Sequence, residues 1–293
     1  MDATTRIERA LAAAVARAQG SGEGAGGPPK LAEALHYAVF PRGARIRPRL
    51  CLAVAMACGE DDPGLTDAAA ASIELLHCAS LVHDDLPCFD DADTRRGKPS
   101  VHKAFGEQIA VLAGDALIVL AFQTLAWAAG GAPQRLGVLV DTVGRSVGMP
   151  RGITAGQAWE CEAEIDLAEY QQEKTGALFA AAAVAGAAAA GAAAEPWRLL
   201  GERLGAAYQV ADDIRDVACN AEELGKPIGQ DQAHARPSAV ALHGMEGALR
   251  LLKELAAGAV AAIPACPGAS ELRAHILSES QRLVPKQLSQ RAA

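Results

Sequence analysis

Along almost the whole chain, apolar residues recur at the three- and four-residue spacing of a helix and nowhere alternate as in a strand. That pattern confines the chain to an all-α fold. Aromatic residues make up only 4% and alanine is abundant, which favours helices packed at short range. Helices are expected over residues 4–19, 30–40, 66–85, 107–129, 133–147, 167–190, 196–217 and 238–263, with another carrying Pro48 in its first turn. GSGEGAGGPP, residues 20–29, reads as a flexible loop, and Pro264, Pro267 and Gly268 interrupt the chain before a last helix. No internal repeat of fixed period appears. The expectation for residues 1–293 is one helical domain.

Charge narrows the partners. A net charge of −8 leaves no basic face to track nucleic acid. The seven cysteines include no CxxC pair, so most are expected to be buried small hydrophobes in a reducing compartment. Asp2 and Glu8 stand where a secretory signal needs an apolar run. The longest uncharged stretch, residues 175–194, is mostly alanine and glycine, which partition weakly into lipid. It reads as a buried helix with close backbone contacts. No transmembrane segment and a cytoplasmic location are therefore expected.

The acidic residues are unevenly placed. Asp84, Asp85 and Asp90, with Asp91 and Asp93 beyond them, follow the apolar helix SIELLHCASLVH. Pro87 must stop that helix, because its ring clashes with the carbonyl of His83. Asp84 and Asp85 then lie on the last turn, with Asp90 folding back. A helix C-terminus is partly negative and adjacent carboxylates repel, so a hard divalent cation such as Mg²⁺ is a fitting counter-ion. A second cluster, Asp212, Asp213 and Asp216, sits inside a helix, with Gln209 sharing the face of Asp212. Like charges four apart cost a helix only ~0.2–0.5 kcal/mol, too little to demand a metal. A solvated acidic surface is the plain alternative for either cluster. Two matched clusters, each on an apolar helix, are harder to explain that way.

Cations stand nearby in sequence. Arg95 and Arg96 follow the first cluster, and their planar forks suit diphosphate oxygens. Arg42, Arg45 and Arg47 crowd into PRGARIRP, where Gly43 leaves room for a phosphate. Lys174 and Thr175 precede the alanine run, and Lys226 lies in ELGKPIG. His77 is two turns before Asp84; a lone histidine there is more often structural than functional.

In the order PRGARIRP, ELLHCASLVHDDLPCFDDADTRRGKPS, GQAWE, EKTGALF, YQVADDIRD and GKPIGQD, the chain resembles the trans-polyprenyl diphosphate synthases. Within them the likeness is to bacterial geranylgeranyl diphosphate synthases of carotenoid and bacteriochlorophyll pathways. The resemblance implies a homodimer of helical bundles, each around a central cavity, acting on isopentenyl diphosphate and an allylic diphosphate with three Mg²⁺ ions. It implies that Asp84 and Asp90 hold two ions with Asp85 supporting, and that Asp212 holds a third with Asp213 and Asp216 supporting. Arg95, Lys174 and Lys226 would contact the allylic diphosphate, and Arg47, His77 and Arg96 the isopentenyl diphosphate. Thr175 and Gln209 would steady the allylic cation.

Four positions depart from the family pattern. Ala44 replaces a lysine, leaving Arg42 or Arg45 as substitutes; Glu160 replaces an aspartate; Arg236 replaces a lysine, and Pro237 follows it in place of a hydroxyl residue. Ala79 and Ser80 lie five and four residues before Asp84, ~6–7.5 Å deeper along the helix. Both are small, whereas in relatives that stop at farnesyl diphosphate an aromatic residue usually blocks one of these positions. With the four-residue spacer 86–89, this favours a twenty-carbon product. Farnesyl diphosphate synthesis and a noncatalytic subunit of such an enzyme are the alternatives.

Overall fold

The structure, a computed structural model, describes residues 2–20, 26–40, 43–164, 169–170, 172–218 and 238–283. The helices are α1 (Ala3–Ala18), α2 (Pro29–Val39), α3 (Ile46–Ala57), α4 (Pro63–Asp84), α5 (Val101–Phe105), α6 (Glu107–Ala128), α7 (Pro133–Val147) and α8 (Ile153–Ala158). They continue as α9 (Ala177–Ala189), α10 (Arg198–Ala218), α11 (Ala239–Ala261) and α12 (Ala269–Leu283). The chain packs as two compact units, one of Met1–Gly144 with Ala185–Ala194, the other of Arg145–Val184 with Glu195–Ala293. The all-α expectation holds, with one small departure. Thr94–Arg95 and Lys98–Pro99 form a two-residue antiparallel hairpin, turned by Arg96 (φ 54°) and Gly97 (φ 74°). A ladder so short has no period to read in sequence.

In the first unit, α4 is the buried axis. Its start lies three residues earlier than its apolar pattern suggests, because Asp62 caps it by accepting from the Leu65 amide at 3.0 Å and Pro63 fills the first helical position. Leu65, Ile73, Leu75 and Leu76 on α4 are buried, and α4 lies along α6. Arg6 of α1 ties this end down, bonding Glu60 at 2.6 Å and Asp67 at 2.6 Å. Helix α4 ends at Asp84, as Pro87 requires.

In the second unit, α10 packs against α11 through Ala207, Val210, Ala211, Ile214, Ala248 and Leu252. Gly244 (φ 67°) interrupts α11 near its start, within the span expected to be one helix. Residues Gln172–Gly176 form a π-helical turn that feeds α9, where a plain helix was expected. Helix α9 is buried almost throughout, as its alanine-rich sequence implied.

The cysteine expectation needs correction. Of the six described cysteines only Cys51 and Cys78 are buried, and burial pushes both thiols up to about 12. Cys88 and Cys161 are exposed, because they fall in the turn after Pro87 and in the short 3-10 segment Trp159–Cys161. Cys219 lies outside the described residues.

Candidate active site

The first acidic cluster is organised by backbone bonds. The Asp90 amide donates to the Asp84 carbonyl at 2.9 Å, and the Asp91 amide to the Leu86 carbonyl at 3.1 Å. Asp90 thus folds back over the helix end. Within the DD pair the two carboxylates have different environments. Asp84 is partly exposed, whereas Asp85 is 2% exposed and paired with Arg95 through Nε (3.0 Å) and Nη2. Burial raises the Asp85 carboxyl above its ordinary pKa against the pull of Arg95. Lys103 bonds Asp93 at 2.9 Å, and His102 faces Asp91 at 3.7 Å, so the outer acids are engaged with α5.

A second cluster of the same unit gathers cations around His77. Burial first, then Arg47, Arg96, Arg95 and Arg45, depress its pKa well below the usual histidine value. Arg96 occupies the space beside Gly43 in which the sequence leaves room for a phosphate; a methyl group on Gly43 would meet its guanidinium carbon at 2.6 Å. Arg45 is not a free cation. It is 4% exposed, sits at φ 52°, and donates to Glu8 (3.0 Å), Glu74 (2.6 Å) and the Val39 carbonyl (2.9 Å). Of the two substitutes for the lysine absent at Ala44, Arg45 therefore belongs to the scaffold. Arg42, Lys226, Arg236 and Pro237 lie outside the described residues. Ala79 is 2% exposed, and Ser80 spends its hydroxyl on the His77 carbonyl at 2.9 Å.

In the second unit the π turn presents Lys174 and Thr175. Lys174 donates to Glu160 at 2.6 Å, and Glu160 also accepts from Tyr170 (2.5 Å) and from Gln157 (2.9 Å). The glutamate that replaces an aspartate here is thus the hub holding the lysine. Thr175 donates to Gln209 at 3.0 Å, Gln209 donates to Asp213 at 3.0 Å, and Asp213 accepts from the Ala239 amide at 2.7 Å. The second acid motif divides as the first does. Asp212 and Asp216 are partly exposed, with Asp212 3.4 Å from Arg215, and Asp213 is 3% exposed.

The structure therefore brings Asp84, Asp85, Asp90 and Arg95 together in one unit, with Arg47, His77 and Arg96 nearby. It brings Lys174, Thr175, Gln209 and Asp213 together in the other. Sequence reading missed Glu74, Glu8 and Tyr170 as partners of these side chains, since each pairing spans 10 residues or more. Among the described residues no three metal-ligating side chains converge as a ready-made cage. The donor set is nonetheless all carboxylate oxygen, which suits a hard ion that keeps waters and substrate phosphates as its remaining ligands.

A helical protein with two carboxylate pairs, each with one partly exposed and one buried member and a guanidinium group beside it, defines the class. Residues 28–262 match the family described as polyprenyl synthetase. The chain is 57% identical over 286 residues to a geranylgeranyl diphosphate synthase of Cereibacter sphaeroides, covering 98% of both. It is 54% identical to one of Rhodobacter capsulatus, covering 93% of both. Among solved structures, a geranyltransferase from Helicobacter pylori complexed with magnesium and isoprenyl diphosphate superposes with a TM-score of 0.80 at 29% identity, over 95% of this chain and 96% of that one. The chain belongs to the polyprenyl synthetase family.

Proposed function

We propose that the chain is a geranylgeranyl diphosphate synthase, condensing isopentenyl diphosphate with allylic diphosphates to a twenty-carbon product. The observation that carries this reading is end-to-end likeness, 57% over 98% of the chain, to a protein of that name. The chain carries both acidic motifs, Asp84, Asp85 and Asp90 in the first and Asp212, Asp213 and Asp216 in the second.

Asp84, Asp90 and Asp212 are the residues that would hold Mg²⁺, three ions in all, with Asp216 in support. Bound there, Mg²⁺ supplies charge neutralisation to the departing diphosphate. Arg95, held in place by Asp85, and Lys174, held by Glu160, bind the allylic diphosphate. They favour the pyrophosphate as it leaves, because their charge is fixed where negative charge develops. Arg47 and Arg96 take the diphosphate of isopentenyl diphosphate. His77, kept neutral among arginines, adds a donor without adding charge. The Thr175 and Gln209 oxygens face the positive charge on the allylic fragment. The terminal carbon of isopentenyl diphosphate then attacks, leaving a tertiary cation on the methyl-bearing carbon beside it, and a proton leaves the next carbon along to the released pyrophosphate. Apolar packing keeps water from quenching the cation.

The small, buried Ala79 leaves the path of the growing tail open, and this favours the twenty-carbon product over farnesyl diphosphate. The test incubates the purified chain with isopentenyl diphosphate and each of dimethylallyl, geranyl and farnesyl diphosphate, with and without Mg²⁺, and sizes the products. A twenty-carbon product that needs Mg²⁺ is expected, and Ala79→Phe should shorten it to fifteen carbons. A fifteen-carbon product from the unaltered chain favours the farnesyl reading, and no turnover by the chain alone favours a noncatalytic subunit.

The chain also acts, on this reading, as a homodimer. Support comes from α6, whose outer face exposes Val111, Leu112 and Val119.

A further inference from the structure

Asp213 lies in the middle of the second acid motif, yet both its oxygens are already engaged inside the protein. Its Oδ1 accepts from the Gln209 side-chain amide at 3.0 Å, and its Oδ2 accepts from the Ala239 backbone amide at 2.7 Å. It is 3% exposed, in contrast to the partly exposed Asp212 beside it. Ala239 is the first residue of α11, so its N–H is one of the four that a helix cannot satisfy internally. Ser238 caps the Ala241 amide at 3.2 Å, and Asp213 takes the Ala239 amide. The partly positive helix end suits a buried carboxylate. Toward the other side, Gln209 passes the connection on to the Thr175 hydroxyl at 3.0 Å. One carboxylate thus joins three elements, the start of α11, the middle of α10 and the π turn.

We infer that Asp213 is a positioning residue, which anchors the N-terminus of α11 and orients Gln209 and Thr175, rather than a ligand to metal. Its contribution to turnover rests on the synthase reading above. The anchoring does not. A buried carboxylate must have its hydrogen bonds satisfied, and each oxygen of this one already holds a donor on the protein side, while its 3% exposure leaves no open face for an ion that keeps water and phosphate as its other ligands. The adjacent Asp212 has the exposure that a ligand to a phosphate-bridging ion requires.

The two roles separate cleanly in substitutions. Asparagine has the shape of aspartate but cannot serve as a charged ligand. In Asp213→Asn the oxygen still accepts from Ala239. The new amide then faces Gln209, which turns its own amide over to accept, and the Thr175 hydroxyl accepts in turn. Alanine breaks every link. Hydrogen exchange is measured at the first-turn amides of α11 in metal-free protein, for the unaltered chain, Asp213→Asn and Asp213→Ala. Turnover is measured against Mg²⁺ concentration for these and for Asp212→Asn.

Asp213→Ala should exchange about tenfold faster at α11, as loss of a helix cap implies. Asp213→Asn should stay within about twofold of the unaltered chain. In turnover, Asp213→Ala should lose kcat about tenfold or more at an unchanged Mg²⁺ requirement, whereas Asp213→Asn keeps most of its kcat and Asp212→Asn needs more Mg²⁺. The inference is overturned if Asp213→Asn raises the Mg²⁺ requirement as Asp212→Asn does, or if α11 exchange is the same in all three metal-free proteins. A chain with no turnover at all sinks the synthase reading, and the exchange comparison still decides the anchor.

Discussion

Arg45 shows how far a residue type predicts a role. Its place in PRGARIRP reads as a candidate for binding an anion, and its buried bonds to Glu8, Glu74 and Val39 make it a strut between α1, α4 and the end of α2. Burial opposes its charge, but Glu74 and Glu8 hold its pKa above the ordinary arginine value. Removing one partner of such a pair strands the other, so Arg45→Met should destabilise the fold by roughly 3–5 kcal/mol in urea titration. Wild-type-like stability in that variant refutes the strut. His77 gives a prediction of opposite sense. Its folded-state pKa is depressed, so the fold prefers it neutral, and this stability is present above the unfolded value near 6.5. It is lost as pH falls below that value, by up to about 1.4 kcal/mol per pH unit until the folded pKa is reached. His77→Gln should flatten the stability profile between about pH 6.5 and 5. An unchanged slope places the acid sensitivity elsewhere. The acid and arginine positions were legible one at a time, because residue type and spacing are local. Which carboxylate of each pair is buried was not, because Arg95 and Ala239 reach them from 10 and 26 residues away.

At the scale of elements, most helices follow directly from apolar period and prolines, and Pro133–Val147 coincides with its expected span. What local pattern does not reveal is the close meeting of backbones. A methyl group on Gly205 would lie 2.8 Å from the Gly176 Cα, and one on Gly201 2.4 Å from the Phe179 carbonyl oxygen. Two bare positions four residues apart on α10 therefore let it touch α9 and the π turn, and that approach makes the 3.0 Å bond from Thr175 to Gln209 possible. Neither contact atom is a flexible side chain, so Gly205→Ala must push the two elements apart. The expected cost is about 1–3 kcal/mol of stability, with a fall in kcat larger than any rise in KM. Equal kcat in the variant, measured at saturating substrates, means the Thr175–Gln209 bond is not needed for turnover. The π turn itself has no sequence signature of its own; EKTG falls inside the helix expected over residues 167–190 because a π turn and an α turn share one apolar pattern.

At the scale of the whole molecule, two long apolar helices have opposite fates. Both α4 and α6, the latter with its following turn to Gly131, are long and apolar enough to cross a bilayer by length and composition alone. Helix α4 has a mean hydropathy of 1.3 over its most apolar window and 83% of that window is buried; α6 reaches 2.0, yet only 44% is buried. The more apolar helix is the less covered. Leu112 and Val119, 50% and 56% exposed, are seven residues apart and so share one face, with Val111 beside them. Asp115 stands exposed on the same stripe, which a second protein surface accommodates at its rim better than a lipid core does. A twofold pairing of this face with its copy requires only self-complementarity, and apolar residues at a seven-residue interval provide it. Placing glutamates at both positions, Leu112→Glu with Val119→Glu, sets like charges against each other across such a seam without touching the buried face of α6. Light scattering should then report a fall from about twice 30.1 kDa to the mass of one chain, with helical content unchanged by circular dichroism. If the unaltered chain already runs as a monomer, or the doubly charged variant still pairs, the exposed face of α6 is not where two copies meet.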